Sequence, residues 1–238
     1  MRAVLRREWL RYRSAMGRTG LLRFILIYGV VFGLFVPAQI DNPSAAFLVF
    51  ALIPLYVSGP AAVDGFAGER ERNTFETLVS SPVRPGQLVA GKLVFASILG
   101  TSVSLAVMIL FSAWRLLKGA PMPSPAIVPV VVVIGAILSI LGSSVGLHVS
   151  VRAKSVRSAM QWFSVVLLVV ALGIPVSLSY LVPRLPTGIL DSLGSLFREG
   201  WYSAGTLMLI AFTALVTAAL CLLLRRRAAN LWFVNLQP

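Results

Sequence analysis

The chain has 238 residues, 58% of them hydrophobic and only 12% charged, and its mean hydropathy is +0.88. Soluble domains use roughly 45–50% apolar residues, so this composition excludes an ordinary soluble domain as the main unit. The formal net charge of +13 does not indicate nucleic-acid binding, because such binding needs a basic face on a folded soluble module, and the sequence contains none.

The first twenty residues predict an amphipathic helix on the membrane surface. Arginines cover most of this segment, but one helical face carries four apolar side chains: Val4, Leu5, Trp9 and Tyr12. Such a helix buries its apolar face at the boundary between headgroups and acyl chains. Two roles stay open for residues 1–20: a simple topology anchor, or an elbow helix that also touches a cytoplasmic partner.

Six apolar runs follow, and each is about long enough to cross a membrane as a helix. About 20 helical residues span the hydrocarbon core, and backbone groups in lipid must bond within their own segment. The runs lack the apolar and polar alternation of a membrane barrel. We therefore expect an all-α membrane protein in which residues 21–238 form one six-span domain. The runs are Leu21–Pro37, Ala45–Val63, Leu93–Trp114, Ile127–Leu147, Met160–Val182 and Ala204–Leu224.

The basic residues predict the orientation of these spans. Seventeen of the 21 Lys and Arg residues lie before the first span or in its first three residues, in the second and fourth loops, or after the sixth span. Lys and Arg concentrate in loops on the cytoplasmic side, so both termini are expected in the cytoplasm. Residues 183–203 then lie outside, and their apolar side chains suit short helices that re-enter the outer leaflet between spans five and six.

The span interiors carry no Asp, Glu, Lys or Arg, although proton-coupled transporters usually need such charges. Hydroxyl and amide side chains remain, and most are expected to bond their own helix. A minority are candidates to line a path through the membrane: Ser58, Thr101, Ser139, Ser143, Gln161 and Ser177.

Small residues in the fourth span predict close contact with another helix. Gly135, Ser139 and Ser143 recur every four residues, and Gly142 and Gly146 repeat this spacing. Small side chains let two helices approach closely in lipid. We favour a contact within one subunit over a dimer seam, because the spacing alone names no partner.

The densest charge in the chain lies in the stretch Asp64–Leu93, between the second and third spans. This stretch predicts a charged, turn-rich segment in water. Within it, the residues from Glu69 to Leu78 suit a short amphipathic helix with an apolar edge that includes Phe75, and the prolines that follow end it. An ordered surface helix with an apolar edge indicates docking on another protein.

The sequence contains no catalytic or metal-binding pattern. Residues 86–93, GQLVAGKL, match the GxxxxGK part of a phosphate-binding loop, but a leucine stands where Ser or Thr must bind magnesium, and no strand precedes it. We therefore expect no ATP hydrolysis by this chain, and expect Gly91 and Lys92 to let the chain enter the membrane. His148 is a lone interfacial histidine, and Cys221 is a lone cysteine in an apolar run.

The charged stretch resembles a pattern of type-2 ABC-transporter permeases, the six-span exporter subunits that pair with a separate ATPase. The residues GERERNTFETLVSSPVRPGQLVAGKL are similar to the family pattern GERExGTxExLLxxPVxxxxxxxGK, with Asn73 where glycine is commoner. The six-span layout, the amphipathic N-terminus and the outer loop extend the resemblance over most of the chain. The matching residues are Gly68, Glu69, Arg70, Glu71, Thr74, Glu76, Leu78, Pro82, Val83, Gly91 and Lys92.

The resemblance implies a permease subunit of an ATP-driven exporter in the bacterial cytoplasmic (inner) membrane. Segment 64–91 would hold a coupling helix seated in a cleft of the ATPase subunit, of which two copies are expected. A second permease chain, identical or related, and membrane lipids are the other implied partners. The chain itself would carry no cofactor, because ATP and Mg belong to the partner ATPase. The residues implied in coupling are Glu69, Arg70, Glu71, Arg72, Thr74, Phe75, Glu76 and Leu78.

Other functions stay open at this point. The haem-exporter membrane protein of cytochrome c maturation is similar in size and layout. A membrane-complex scaffold or mechanotransmitter could use an ATPase without moving a substrate. A polytopic lipid-modifying enzyme is disfavoured, because the spans carry no catalytic residues. The sequence does not name a substrate for an exporter.

Overall fold

A computed structural model describes residues 4–14, 26–27, 29–35, 43–80, 85–120, 122, 125, 127–181, 210–211, 214–224 and 226. The side chains of Leu78, Ser177 and several other helical residues lie outside this description, as do the loop 183–203 and its predicted re-entrant helices. Every regular element in the described residues is a helix, as the sequence predicts.

The described helices follow the chain in the predicted order. Residues 4–14 form α1, and Gly29–Phe35 is a π-helical segment. Helix α2 covers Pro43–Glu71, α3 covers Phe75–Val79, and α4 covers Pro85–Leu117. Helix α5 covers Ile127–Arg152 and α6 covers Val156–Leu181. Residues 214–224 form α7.

Within the described residues, three helices are long and apolar enough to cross a membrane. They are Phe50–Glu71, Gly86–Leu117 and Val128–Arg152, with mean hydropathies of 1.3, 2.3 and 2.5. Shorter apolar helices cover Val156–Val169 and Ala214–Leu224. Large apolar side chains point outward from these helices, for example Ile109 on α4 and Val169 on α6. An apolar outer surface of this kind suits contact with lipid.

Helix α2 lies against both α4 and α5, and small residues bring α5 close to it. A Cβ atom added at Gly146 would lie 2.5 Å from the carbonyl oxygen of Gly59, and one at Gly142 would lie 2.9 Å from that of Leu55. No side chain fits there, so the two backbones are in direct contact. The predicted contact of the fourth span within one subunit is therefore confirmed.

A buried hydroxyl group strengthens the contact between α2 and α5. Ser150 Oγ donates to the carbonyl oxygen of Val63 and accepts from the amides of Phe66 and Ala67. The hydroxyl thus bonds polar groups of Val63 and Ala67, which lie one helical turn apart on α2. Helix α2 also contains Pro54 and Pro60, which supply no backbone donor.

The stretch Asp64–Leu93 differs from the loop that its charge predicts. Helix α2 continues through Glu71 and α4 begins at Pro85, so only residues 72–84 lie between the two helices. The prediction of one amphipathic helix from Glu69 to Leu78 is wrong, because the chain turns at residues 72–74 and α3 is a separate short helix. Charge is dense here because much of it forms ion pairs inside the protein.

Helix α1 packs on the end of α2 and the start of α4. Val4 is buried, and the ring of Tyr12 meets the ring of Phe95 edge to face at 5.8 Å. Trp9 is 45% exposed and lines a shallow apolar cleft with Leu5 and residues of α4. This helix is therefore amphipathic as predicted, but its buried face touches protein.

Candidate functional site

The charged part of the family pattern lies where α2 ends. Asn73 has φ 54°, in the left-handed region that favours glycine and, after it, asparagine. The amide of Asn73 donates to the carbonyl oxygen of Arg70 at 3.1 Å, and that of Thr74 donates to the carbonyl oxygen of Glu69 at 2.9 Å. These two bonds form a Schellman cap. The cap explains why asparagine can stand where the family pattern commonly has glycine.

Glu69, in the last turn of α2, is the most buried carboxylate at this end of the helix, with 2% of its surface exposed. Arg11 Nη1 from α1 donates to Glu69 Oε1 at 2.6 Å. Lys92 Nζ from α4 lies 3.5 Å from the same oxygen. The hydroxyl of Thr74 donates to Glu69 Oε2. Burial of an ionised group is costly unless opposite charges and hydrogen bonds satisfy it, and here three side chains do so.

Lys92 is buried beside a second carboxylate. Its Nζ donates to Glu8 Oε1 of α1 at 2.6 Å, and it lies 5.5 Å from the ring centre of Phe66. The neighbouring Gly91 lets α1 approach, because a Cβ there would lie 2.6 Å from Val4 Cγ1. Gly91 and Lys92 therefore seat α1 on α4, a role that the expectation of membrane entry did not include.

Arg11 joins the same site to Asp64 of α2. Its guanidinium donates to the Asp64 carboxylate and, at 3.1 Å, to the Asp64 carbonyl oxygen. Burial alone would lower the pKa of Arg11, but the attraction of Glu8, Asp64 and Glu69 outweighs it and holds that pKa above its usual value. Arg11 therefore stays charged at every physiological pH. We call Glu8, Arg11, Asp64, Glu69 and Lys92 the charge cluster.

Arg70 and Glu71 connect the end of α2 to two further helices, α5 and α6. Arg70 donates to the carbonyl oxygens of Ala153 at 2.7 Å and Val151 at 2.8 Å, at the C-terminal end of α5, where a cation is favoured. Glu71 Oε1 accepts from the amide of Val156 at 2.9 Å, at the N-terminal end of α6, where an anion is favoured. The last turn of α2 is thus bound to α1, α4, α5 and α6.

The predicted coupling residues divide into two groups. Glu69 and Thr74 face the charge cluster, and Arg70 faces α5 with its guanidinium 5.0 Å from the ring centre of Phe75. The other group is exposed on the outer side of the segment: Glu71, Arg72 and Glu76. The structure brings the first group together. In the second group, Glu71 accepts from Val156 and Arg72 lies 3.2 Å from Asp64 Oδ1, although each side chain stays exposed.

The predicted path-lining residues are dispersed, and three of them lie in the seam between α2, α4 and α5. Ser58 Oγ donates to the carbonyl oxygen of Ser139 at 2.8 Å, and Ser139 Oγ donates to that of Ser97 at 2.9 Å. Ser143 also donates to the Ser139 carbonyl oxygen. Ser58, Ser139 and Ser143 are fully buried. Thr101 is half-buried on α4 and Gln161 is exposed on α6.

Sequence reasoning missed Glu8, Arg11 and Asp64 as members of this site. A usable signal was present for Glu8, which is the only acidic residue in the first forty. It shares one helical face with Val4 and Arg11, at spacings of four and three residues. A lone acid on the buried face of an arginine-rich helix indicates a buried cationic partner. The identity of that partner, Lys92, depends on long-range contacts.

The arrangement is suited to holding helices together. Each carboxylate of the charge cluster meets a cation, and among the described residues no three His, Cys, Asp or Glu side chains are placed to hold a metal. Coulomb attraction over short distances in a low-dielectric site makes such pairs strong. The charge cluster therefore joins the end of α2 to α1 and α4.

Comparison with known proteins assigns the family. The model of the ABC-2 family transporter protein matches residues 26–189, which is more than half of the chain and includes the charged stretch and α2 to α6. A search of the curated proteins found no match. Permeases of this family are multi-pass membrane proteins that generally pair with ABC ATPase subunits. The chain therefore belongs to the ABC-2 family of ABC-transporter membrane subunits.

Proposed function

We propose that this chain is the permease subunit of an ATP-driven exporter in the bacterial cytoplasmic membrane. Membership of the ABC-2 family supports a membrane subunit with a separate ATPase. In this proposal residues 1–20 form an interfacial helix, and residues 21–238 form six spans with both termini in the cytoplasm. Segment 64–91 couples to the ATPase, and residues 183–203 form the outer loop with short re-entrant helices.

The observation that carries the proposal is the charge cluster at the end of α2. The exposed residues Arg72 and Glu76 would contact the ATPase, with Phe75 and Leu78 as the apolar edge of the docking surface. Glu69, bound to Arg11 and Lys92, would pass the motion to α1 and α4. Movement of α3 would then shift the inner ends of several spans together.

Substrate would pass between this chain and a second permease chain, identical or related. Thr101 and Gln161 are candidates to line that path, because neither is buried within the described helices. Ser58, Ser139 and Ser143 could join them only if the seam between α2, α4 and α5 opened during transport. Ser177 keeps its predicted place among the path-lining candidates.

The test is purification of the full-length chain in mild detergent, with its partners identified by mass spectrometry. We expect two permease chains with two ABC ATPase subunits in the native mass spectrum. A stable lone monomer without an ATPase would contradict the proposal. ATPase activity that is stimulated by a candidate substrate in vesicles, together with uptake of that substrate, separates an exporter from a scaffold that only transmits motion.

A further inference from the structure

A cleft of about 700 Å³ lies beside the turn that joins α5 to α6. Helix α5 contributes His148 and Arg152, the turn contributes Lys154, and α6 contributes a line of three side chains: Ser158, Trp162 and Val166. The cleft is separate from the charge cluster, because none of the five cluster residues lines it.

The cleft is basic at one end and apolar at the other. Arg152 and Lys154 are exposed, and in the part of the chain that the structure describes neither lies within ion-pair distance of a carboxylate. Ser158, Trp162 and Val166 are spaced by four residues, so they follow one face of α6 away from the charged end. At 1.5 Å per residue this line is about 12 Å long.

The basic end and the apolar wall of the cleft match the headgroup and the acyl chain of a phospholipid. A phosphate group would meet two cations at the turn, and an acyl chain would lie along Trp162, which is 62% exposed, and Val166, which is 36% exposed. Tryptophan favours the level of the headgroups. Basic pockets between membrane helices on the cytoplasmic side are known to bind anionic headgroups. The basic asymmetry of the sequence predicts that side for this turn.

We propose that this cleft binds an anionic phospholipid of the inner leaflet, with its headgroup on Arg152 and Lys154 and its acyl chain on Trp162 and Val166. A free phosphate ion would use the charged end but would leave the apolar wall uncovered. A zwitterionic lipid would use the wall, but its choline group would repel the two cations. Both requirements together favour phosphatidylglycerol or a related anionic lipid.

The experiment is a lipid titration of the full-length chain in detergent, followed by native mass spectrometry. Phosphatidylglycerol is compared with phosphatidylcholine of the same acyl chains. We expect saturable binding of phosphatidylglycerol that weakens about tenfold or more in the R152Q/K154Q variant, because each basic residue near an anionic lipid contributes on the order of 1 kcal/mol. The W162A variant should weaken binding of both lipids.

The matched control is R6Q/R13Q, which removes two exposed cations of α1 on the same predicted side of the membrane. It should bind phosphatidylglycerol as the unaltered chain does. The proposal is overturned if both lipids bind equally, if R152Q/K154Q binds normally, or if the control loses binding to the same extent. It is also overturned if glycerol 3-phosphate binds as tightly as the lipid, or if W162A leaves lipid binding intact but separates two copies of the chain.

Discussion

Glu69 has 2% of its surface exposed, and Arg11 and Lys92 supply the charge that offsets its burial. Removing one partner of a buried ion pair commonly costs about 3–5 kcal/mol. We expect Glu69→Gln to cost about 3 kcal/mol, the low end of that range, because Asp64 and Glu8 still neutralise the two cations in part. Thermal unfolding of the purified chain in detergent measures this loss.

The control for that change is Glu76→Gln, in α3. Glu76 is exposed, so the same loss of charge should change stability by no more than about 0.5 kcal/mol. If both variants melt at the temperature of the unaltered chain, the Glu69 pairs contribute no stability. If both melt lower by the same amount, the total charge of the segment matters instead.

Asn73 has a backbone conformation that most side chains avoid, with φ 54°. Replacement by glycine should leave the stability unchanged or raise it by up to about 1 kcal/mol, because the left-handed region costs glycine nothing. Replacement by valine should lower it by about 2 kcal/mol, since a β-branched side chain is strained there. The same unfolding assay compares the two variants, and equal stability of both would argue against this helix cap.

At the scale of elements, the direct contact of α5 with α2 depends on glycine. A Cβ at Gly146 would lie 2.5 Å from the Gly59 carbonyl oxygen, so Gly146→Ala must push the helices apart, at a cost of about 1–3 kcal/mol. Gly86, near the start of α4, has no atom within 4 Å of such a Cβ. Gly86→Ala should therefore be neutral or slightly stabilising. An unfolding measurement that ranks the two variants the other way would refute this contact.

The positions of the helices could largely be predicted from the sequence, but the ion pairs between helices could not. The lengths of the apolar runs predicted helices α2, α4 and α5. The small residues Gly142 and Gly146 correctly predicted a close contact within one subunit. The end of α2 was misplaced because Glu69 was assigned to water by its charge alone. Whether a charge is buried depends on an opposite charge brought from a distant part of the chain, here Arg11, fifty-eight residues away.

At the scale of the whole molecule, the basic asymmetry predicts the side of the membrane on which each loop lies. In a background where Cys221 is replaced by serine, a cysteine at Asp191 should react with an impermeant thiol reagent in intact cells. A cysteine at Arg226 should react only after the cells are opened. The reverse pattern of labelling would overturn the predicted orientation.

The central claim is that the charge cluster makes α1 and the segment after α2 move as one body. If so, a displacement that an ATPase imposes on Arg72 and Glu76 moves α1 by the same amount. Independent motion would instead require Arg11 to lose its ion pairs with Glu69 and Asp64. These pairs join α1 to α2, which are distant in sequence but adjacent in the fold.

The most direct measurement is the distance distribution between spin labels at Arg13 on α1 and Thr77 on α3, both exposed, in the complete transporter complex with and without ATP. We predict one narrow distribution that ATP does not shift, and a broader one when Glu69 is replaced by glutamine. A distance that shifts on ATP addition while Glu69 is intact would contradict the claim.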